Sequence, residues 1–196
     1  MRLTLASASP RRRELIAKIK GLDVDIFPSG ADESLVEADG PREKAEKLAL
    51  CKAESVFASR GGLVLGADTI VALDKRVLGK PASEEEAREF LRLLSGKTHE
   101  VITGVALVNG DKTVVKSEVT RVTFREITED EIARYVATGS PMDKAGGYGL
   151  QDAEVRAFTT RTDGDEDNVI GLPVALVEKN IGGKLLIWQL WISPSR

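Results

Sequence analysis

The chain has 196 residues, 42% of them apolar and 30% charged, with a net charge of −3; this suits a folded core in one domain or two joined lobes. The negative balance argues against broad affinity for nucleic acid backbones, although a mononucleotide needs only a few focused cations. No apolar run approaches the roughly 20 residues that span a bilayer, the first residues lack a signal-peptide pattern, and a single cysteine, Cys51, leaves no internal disulfide and no cysteine-based zinc site, so a cytoplasmic protein without a membrane partner is expected.

Residues 3–6 read as a short strand that delivers the chain into the turn Ser7-Ala8-Ser9. Pro10 then suits the first position of a helix capped by Ser9 and running to about residue 19. Arg11, Arg12 and Arg13 fall in its first turn. Basic residues there oppose the helix dipole, so a helix built for stability would carry acids. With the free amides of the turn beside Ser7, they favour a phosphate site over an ordinary capped helix.

Residues 24–27 form a second expected strand, followed by a loop over residues 28–40 in which Asp32 and Glu33 offer hard oxygen ligands suited to Mg²⁺. Most such acids are merely solvated. Pro41 opens a long helix reaching about residue 59. Ala45, Leu48, Ala49 and Val56 fall on one stripe at helical spacing, and Lys52 lies in the middle of it. Lys52 is either a lysine whose stem covers the core or one aimed into a site.

Residues 63–67 read as a buried strand running through Asp68 and Thr69 to residue 73, with Gly66 and Ala67 leaving room for a ligand. A carboxylate on such a strand can hold a metal or act as a base; alone, it is equally well a turn former. A turn at residues 74–76 closes a hairpin that could return Lys80, in Gly79-Lys80-Pro81, toward Asp68. Alone, Lys80 reads as an exposed turn lysine. Ser83 and Glu86 match a capping box for a helix ending at residue 94 before Gly96. Residues 101–108 and 113–124 read as strands joined at Asn109-Gly110. Thr128 and Glu131 match a second capping box, for a helix ending at Gly139.

Residues 140–151 form a glycine-rich loop, a weak signal by itself since such loops approach ligands or merely connect. His99, the only histidine, reads as structural, Cys51 as packing, and Trp188 and Trp191 as core or interface. Residues 174–180 suit a helix and residues 184–192 a strand. Alternating strands and helices with at least one hairpin give an α/β fold with a mixed sheet. The chemical set, cations and carboxylates without a Ser-His-Asp or Cys-His arrangement and without a P-loop, describes metal-assisted phosphoanhydride hydrolysis.

Several segments in this order resemble the Maf-like nucleoside triphosphate pyrophosphatases: Leu5-Ala6-Ser7-Ala8-Ser9-Pro10-Arg11-Arg12-Arg13, Gly66-Ala67-Asp68-Thr69-Ile70-Val71, Gly79-Lys80-Pro81, Leu94-Ser95-Gly96-Lys97-Thr98-His99, Asp143-Lys144-Ala145-Gly146-Gly147-Tyr148-Gly149-Leu150-Gln151 and Gly171-Leu172-Pro173. The resemblance implies one Maf-like domain over residues 1–196 with an α/β fold like that of inosine triphosphate pyrophosphatases: a mixed sheet flanked by helices, and two lobes with a cleft. It implies a nucleoside triphosphate as partner, cleavage between the α and β phosphates, and a divalent cation, Mg²⁺ or Mn²⁺. Asp68 becomes the proton acceptor and, with Glu33, a metal ligand. Ser7, Arg12, Arg13, Lys52 and Lys80 match phosphate-binding positions. Arg11, Thr69 and Gln151 match the base-selecting positions of the branch acting on dTTP and UTP; a second branch, acting on 7-methyl-GTP, carries Trp, Gln and Glu there. Relatives are often homodimers, and the family is associated with restraint of septum formation. A non-catalytic nucleotide-binding regulator of division is therefore the alternative, and a phosphatase or kinase handling a single phosphate a third reading. The chain departs from the family at Asp152-Ala153-Glu154, where small residues are usual, in the acidic stretch 161–167, and in a strand-like tail where relatives end in a helix.

Overall fold

A computed structural model describes residues 1–110 and 112–189, with side chains through Ile181. Its centre is a mixed sheet in the order β2-β1-β3-β5-β6-β7, with β4 paired to part of β3. The strands are β1 (Arg2–Leu5), β2 (Asp23–Ile26), β3 (Val64–Leu73), β4 (Arg76–Leu78), β5 (Thr98–Asn109), β6 (Lys112–Phe124) and β7 (Thr159–Asp163). The helices are α1 (Pro10–Ile16), α2 (Pro41–Arg60), α3 (Glu84–Leu94), α4 (Glu129–Ala137), α5 (Ala153–Phe158), α6 (Glu166–Ile170) and α7 (Val174–Gln189).

β1 runs parallel to both β2 and β3, and every other pairing is antiparallel. The hairpin of β5 and β6 turns just after Asn109, which still pairs with Lys112, one residue later than expected, with Gly110 at φ 57°. Asp74 takes the left-handed conformation, φ 54°, in the β3–β4 turn, which aspartate tolerates better than most residues.

Helix ends follow their caps. The Thr128 hydroxyl accepts from the Glu131 amide while the Glu131 carboxylate accepts from the Thr128 amide, a complete capping box. At α3 the Ser83 hydroxyl accepts from Glu86 N, but the Glu86 carboxylate reaches Ala82 N instead, one residue early. α1 ends at Ile16, sooner than expected, although Ile19 is still buried in the turn that follows.

Two larger cores flank the sheet. One gathers Leu3, Leu5, Leu15, Ile16, Leu65, Leu172 and Val177 around β1, α1 and α7. The other gathers Phe90, Leu91, Leu94, Phe124, Ile132, Tyr135 and Tyr148 around α3 and α4. His99 belongs to this second core: its Nε2 lies 2.6 Å from the Tyr148 hydroxyl, and its ring meets Phe124 edge-on. Burial pushes its pKa down to about 4. The structural role read from the sequence fits that position.

The tail departs from expectation. Residues 184–189 continue α7 rather than forming a strand, and residues 190–192, with Trp191, lie outside the described residues. A short apolar run satisfies either period, and only attachment to an existing helix decides between them. Residues 153–170, which gave no clear pattern, hold α5, β7 and α6, with the acidic stretch closing the sheet edge and capping α6 through Asp165. Among the described residues no helix is long and apolar enough to cross a membrane.

Candidate functional site

The cleft opens where the sheet loses a neighbour. β1 pairs with β3 only through Val64 and Leu65, and β4 joins β3 only from Val71 onward. Between them the edge of β3 is bare of strand partners over residues 66–70. A cleft of about 460 Å³ fills this gap, lined among others by Arg11, Arg12, Glu33, Lys52, Asp68, Thr69, Lys80, Asp143, Lys144 and Gln151.

Alternation along β3 sends Asp68 and Thr69 to opposite faces. Asp68 faces α2, where Lys52 Nζ is hydrogen-bonded to its Oδ1 and also lies 3.2 Å from Glu33 Oε1. The Lys52 side chain is only 12% exposed, and its head group is engaged by carboxylates at the cleft rather than snorkelling to solvent. Two glycines permit the contact. A Cβ on Gly66 would overlap the Ala49 carbonyl, and one on Gly104, directly across from Asp68 in β5, would overlap the Ala45 carbonyl. Gly66 therefore makes room for the backbone of α2, and Ala67 is buried in the core on the opposite face, rather than leaving space for a ligand as the sequence suggested.

Glu33 sits in a single 3₁₀ turn, Glu33–Leu35, within the loop. That turn is tied to α2 by Lys44 Nζ, which donates to the Val36 carbonyl, and by Lys47 Nζ, 3.0 Å from the Glu37 carbonyl. Lys44 lines the cleft and escaped the sequence reading. The signal was present: 44, 48 and 52 are spaced four apart and share one ridge of the helix, and all three line the cleft.

On the other face, Arg12 is held on three sides. Its Nε donates to the Gly171 carbonyl at 2.9 Å, Nη2 to Thr69 Oγ1 at 3.1 Å, and Nη1 to Ser7 Oγ at 3.4 Å. Burial lowers its pKa, with Asp68 opposing. Thr69 Oγ1 in turn meets Thr103 Oγ1 at 2.9 Å. Ser7 is nearly buried and also accepts from Ser9 N. Lys80 is exposed on the rim; the carbonyl beside it, of Gly79, accepts from Gly146 N at 2.9 Å and so ties β4 to the glycine-rich loop. Gln151 is exposed on the same wall. The structure does not bring Arg13 into the cleft. It is exposed on the outer side of α1, beside Glu14, Ala17 and Ile26, because a helix turns neighbouring side chains about 100° apart and only one side of α1 faces the cleft.

The model of the family described as Maf-like protein matches residues 2–183. The chain belongs to the Maf-like family. A dTTP/UTP pyrophosphatase of Bacillus cereus (strain AH820) is 46% identical to this Maf-like chain over 181 residues, covering 92% of the chain and 94% of the relative. One of Bacillus anthracis is 45% identical, with the same coverage. Among solved structures, the Ham1 protein of Staphylococcus aureus superposes with a TM-score of 0.54 at 13% identity, covering 94% of this chain and all of that one. A HAM1 protein of Coxiella burnetii gives 0.52 at 14% identity, covering 93% and 99%. At such identities the likeness is one of fold, and it agrees with the cleft-bearing α/β architecture that the Maf-like segments imply.

Proposed function

We infer that this protein hydrolyses nucleoside triphosphates, dTTP and UTP foremost, to the monophosphate and pyrophosphate. The observation that carries this reading is the convergence of Asp68, Glu33 and Lys52 on one point of a cleft that also holds Arg12 and Lys80. Membership of the family and the names of the relatives support it.

In this reading Asp68 accepts a proton from a water that attacks the α-phosphorus. The bond from that phosphorus to the bridging oxygen breaks, the water oxygen stays on the monophosphate, and pyrophosphate leaves with the bridging oxygen. Lys52, Lys80, Arg12 and Ser7 hold the phosphates, with Arg12 kept rigid by Thr69 and Gly171. Arg13, outside the cleft, is given no part.

Glu33 and Asp68 suit a divalent cation such as Mg²⁺ or Mn²⁺. Their carboxylates already converge on the single charge of Lys52, and among the described residues no cluster of three His, Cys, Asp or Glu forms a dedicated cage. One or two carboxylates completed by substrate phosphates is the usual donor set for Mg²⁺. When bound there, the cation supplies charge neutralisation and polarises phosphoryl oxygens.

The test is to incubate the protein with a nucleotide panel and Mg²⁺ in heavy-oxygen water. Pyrophosphate, with the label in the monophosphate, is expected. Orthophosphate as first product would indicate a phosphatase, and no turnover with any nucleotide or divalent cation would leave a binding regulator.

A further inference from the structure

An ion pair that the hydrolysis does not require joins the two walls at the cleft mouth. Arg11 Nη1 donates to Asp143 Oδ2 at 2.6 Å and Nη2 to the Asp143 carbonyl at 3.2 Å. The other carboxylate oxygen of Asp143 accepts from Lys144 Nζ at 2.9 Å. Lys144 is only 8% exposed, rare for a lysine unless it is paired. Its ammonium also donates to the Ser140 carbonyl at 2.5 Å and the Ser140 hydroxyl at 2.9 Å. Behind it, 3.9 Å away, stands Asp152, itself accepting from the Tyr135 and Ser140 hydroxyls. Gln151 lies beside the same glycine as this anchor. A Cβ on Gly149 would lie 2.6 Å from Lys144 Cε and 2.5 Å from Gln151 Nε2, so the lysine stem and the glutamine amide share the space above that glycine.

Two of the three side chains that match base-selecting positions, Arg11 and Gln151, differ in chemistry. A glutamine amide carries a donor and an acceptor and can turn over. It can thus match uracil, with a carbonyl at C4 and a proton on N3, or cytosine, with an amine at C4 and a bare N3. Arginine only donates. A guanidinium held in place therefore accepts a C4 carbonyl and refuses a C4 amine, whereas one free on its flexible stem swings aside.

We propose that Asp143 is a positioning residue which, anchored by Lys144, fixes Arg11 as a donor-only selector for pyrimidines with a carbonyl at C4 over cytosine. This rests on the reading of the cleft as a pyrimidine nucleotide site. Asp143 is largely exposed, so the latch contributes little to stability and its loss is read in selection.

The experiment measures kcat/KM for UTP and CTP, with equilibrium binding of both, in wild type, Asp143→Ala and Asp143→Glu. Wild type prefers UTP; Asp143→Ala compresses the UTP/CTP ratio tenfold or more, through KM rather than kcat, at an unchanged melting temperature; Asp143→Glu restores most of it. An unchanged ratio, or an equal fall for both nucleotides, overturns the proposal. If wild type turns over neither nucleotide, the pyrophosphatase reading fails separately. Binding then decides: UTP selectivity that Asp143→Ala abolishes supports the latch, and equal binding of UTP and CTP by wild type removes it.

Discussion

The floor of the cleft and its mouth are made of different material. Asp68 stands mid-strand in β3, and Lys52 mid-helix in α2, pressed together by the close approach at Gly66 and Gly104. At the mouth, Arg11 begins a short helix while Asp143, Lys144 and Gln151 belong to a loop that carries little regular structure. The floor is fixed by the core itself, so its chemistry tolerates little movement. The mouth is held by a chain of hydrogen bonds that can be altered one at a time without disturbing the sheet. A scaffold divided this way can keep its reaction and change its substrate.

The sharpest test of that division is at the floor. Asp68→Asn keeps the shape and removes the carboxylate. Turnover should fall by about 10²–10⁴-fold, the usual range for a lost general base, while circular dichroism and the melting curve change little. Activity within threefold of wild type would take Asp68 out of the mechanism.

A second test probes the core behind the mouth. His99 has its pKa lowered by burial from 6.5 to about 4. The folded state then binds fewer protons than the unfolded state in that window, so this contribution to stability is complete above pH 6.5 and is lost as pH falls toward 4. The loss amounts to about 3 kcal/mol, measurable as the pH dependence of the unfolding free energy. A His99→Gln variant should flatten that dependence; an equal slope in both proteins would assign it elsewhere.

Gly104→Ala ranks next. The added methyl meets the Ala45 carbonyl, and overpacking of this kind costs about 1–3 kcal/mol. Because the same approach brings Lys52 to Asp68, kcat/KM should fall together with the melting temperature. A stable variant with reduced activity, or the converse, would separate the packing from the site.

What the sequence disclosed follows the same division. Asp68 and Lys52 were visible because a polar residue interrupts an otherwise apolar pattern on a regular element, and periodicity exposes such a break. The strand hairpin and the Thr128 cap were visible because their turn chemistry is local. The role of Gly104 was hidden, since nothing in a strand sequence tells which helix will press on it. The Arg11–Asp143 pair was equally hidden: its partners are 132 positions apart, and nothing in the local pattern of either names the other. Arg13 was overread for the same reason, because three consecutive arginines look alike until the helix face is known.

The mildest expected effect concerns the mouth. Thymine and uracil are neutral and present a donor flanked by acceptors, an edge that the Gln151 amide can match with one acceptor and two donors. The 7-methylguanine base is cationic; it favours an aromatic face and a carboxylate, and Arg11 beside it would repel it. Wild type should therefore prefer dTTP and UTP over 7-methyl-GTP at least tenfold, which corresponds to about 1.4 kcal/mol. Gln151→Glu removes the donors and adds a negative charge, and should erode that ratio while leaving the chemical step on either nucleotide nearly untouched. The carboxylate would also stand close to the Lys144 stem that now shares space with the amide. Part of the erosion should thus appear as a weaker hold on Arg11, seen when Gln151→Glu and Asp143→Ala are combined and their effects fall short of additive. If 7-methyl-GTP proves the better substrate of the wild type, selection by Arg11, Thr69 and Gln151 is wrong, whereas the hydrolysis proposed at the floor of the cleft, which does not depend on base selection by those three side chains, is left standing.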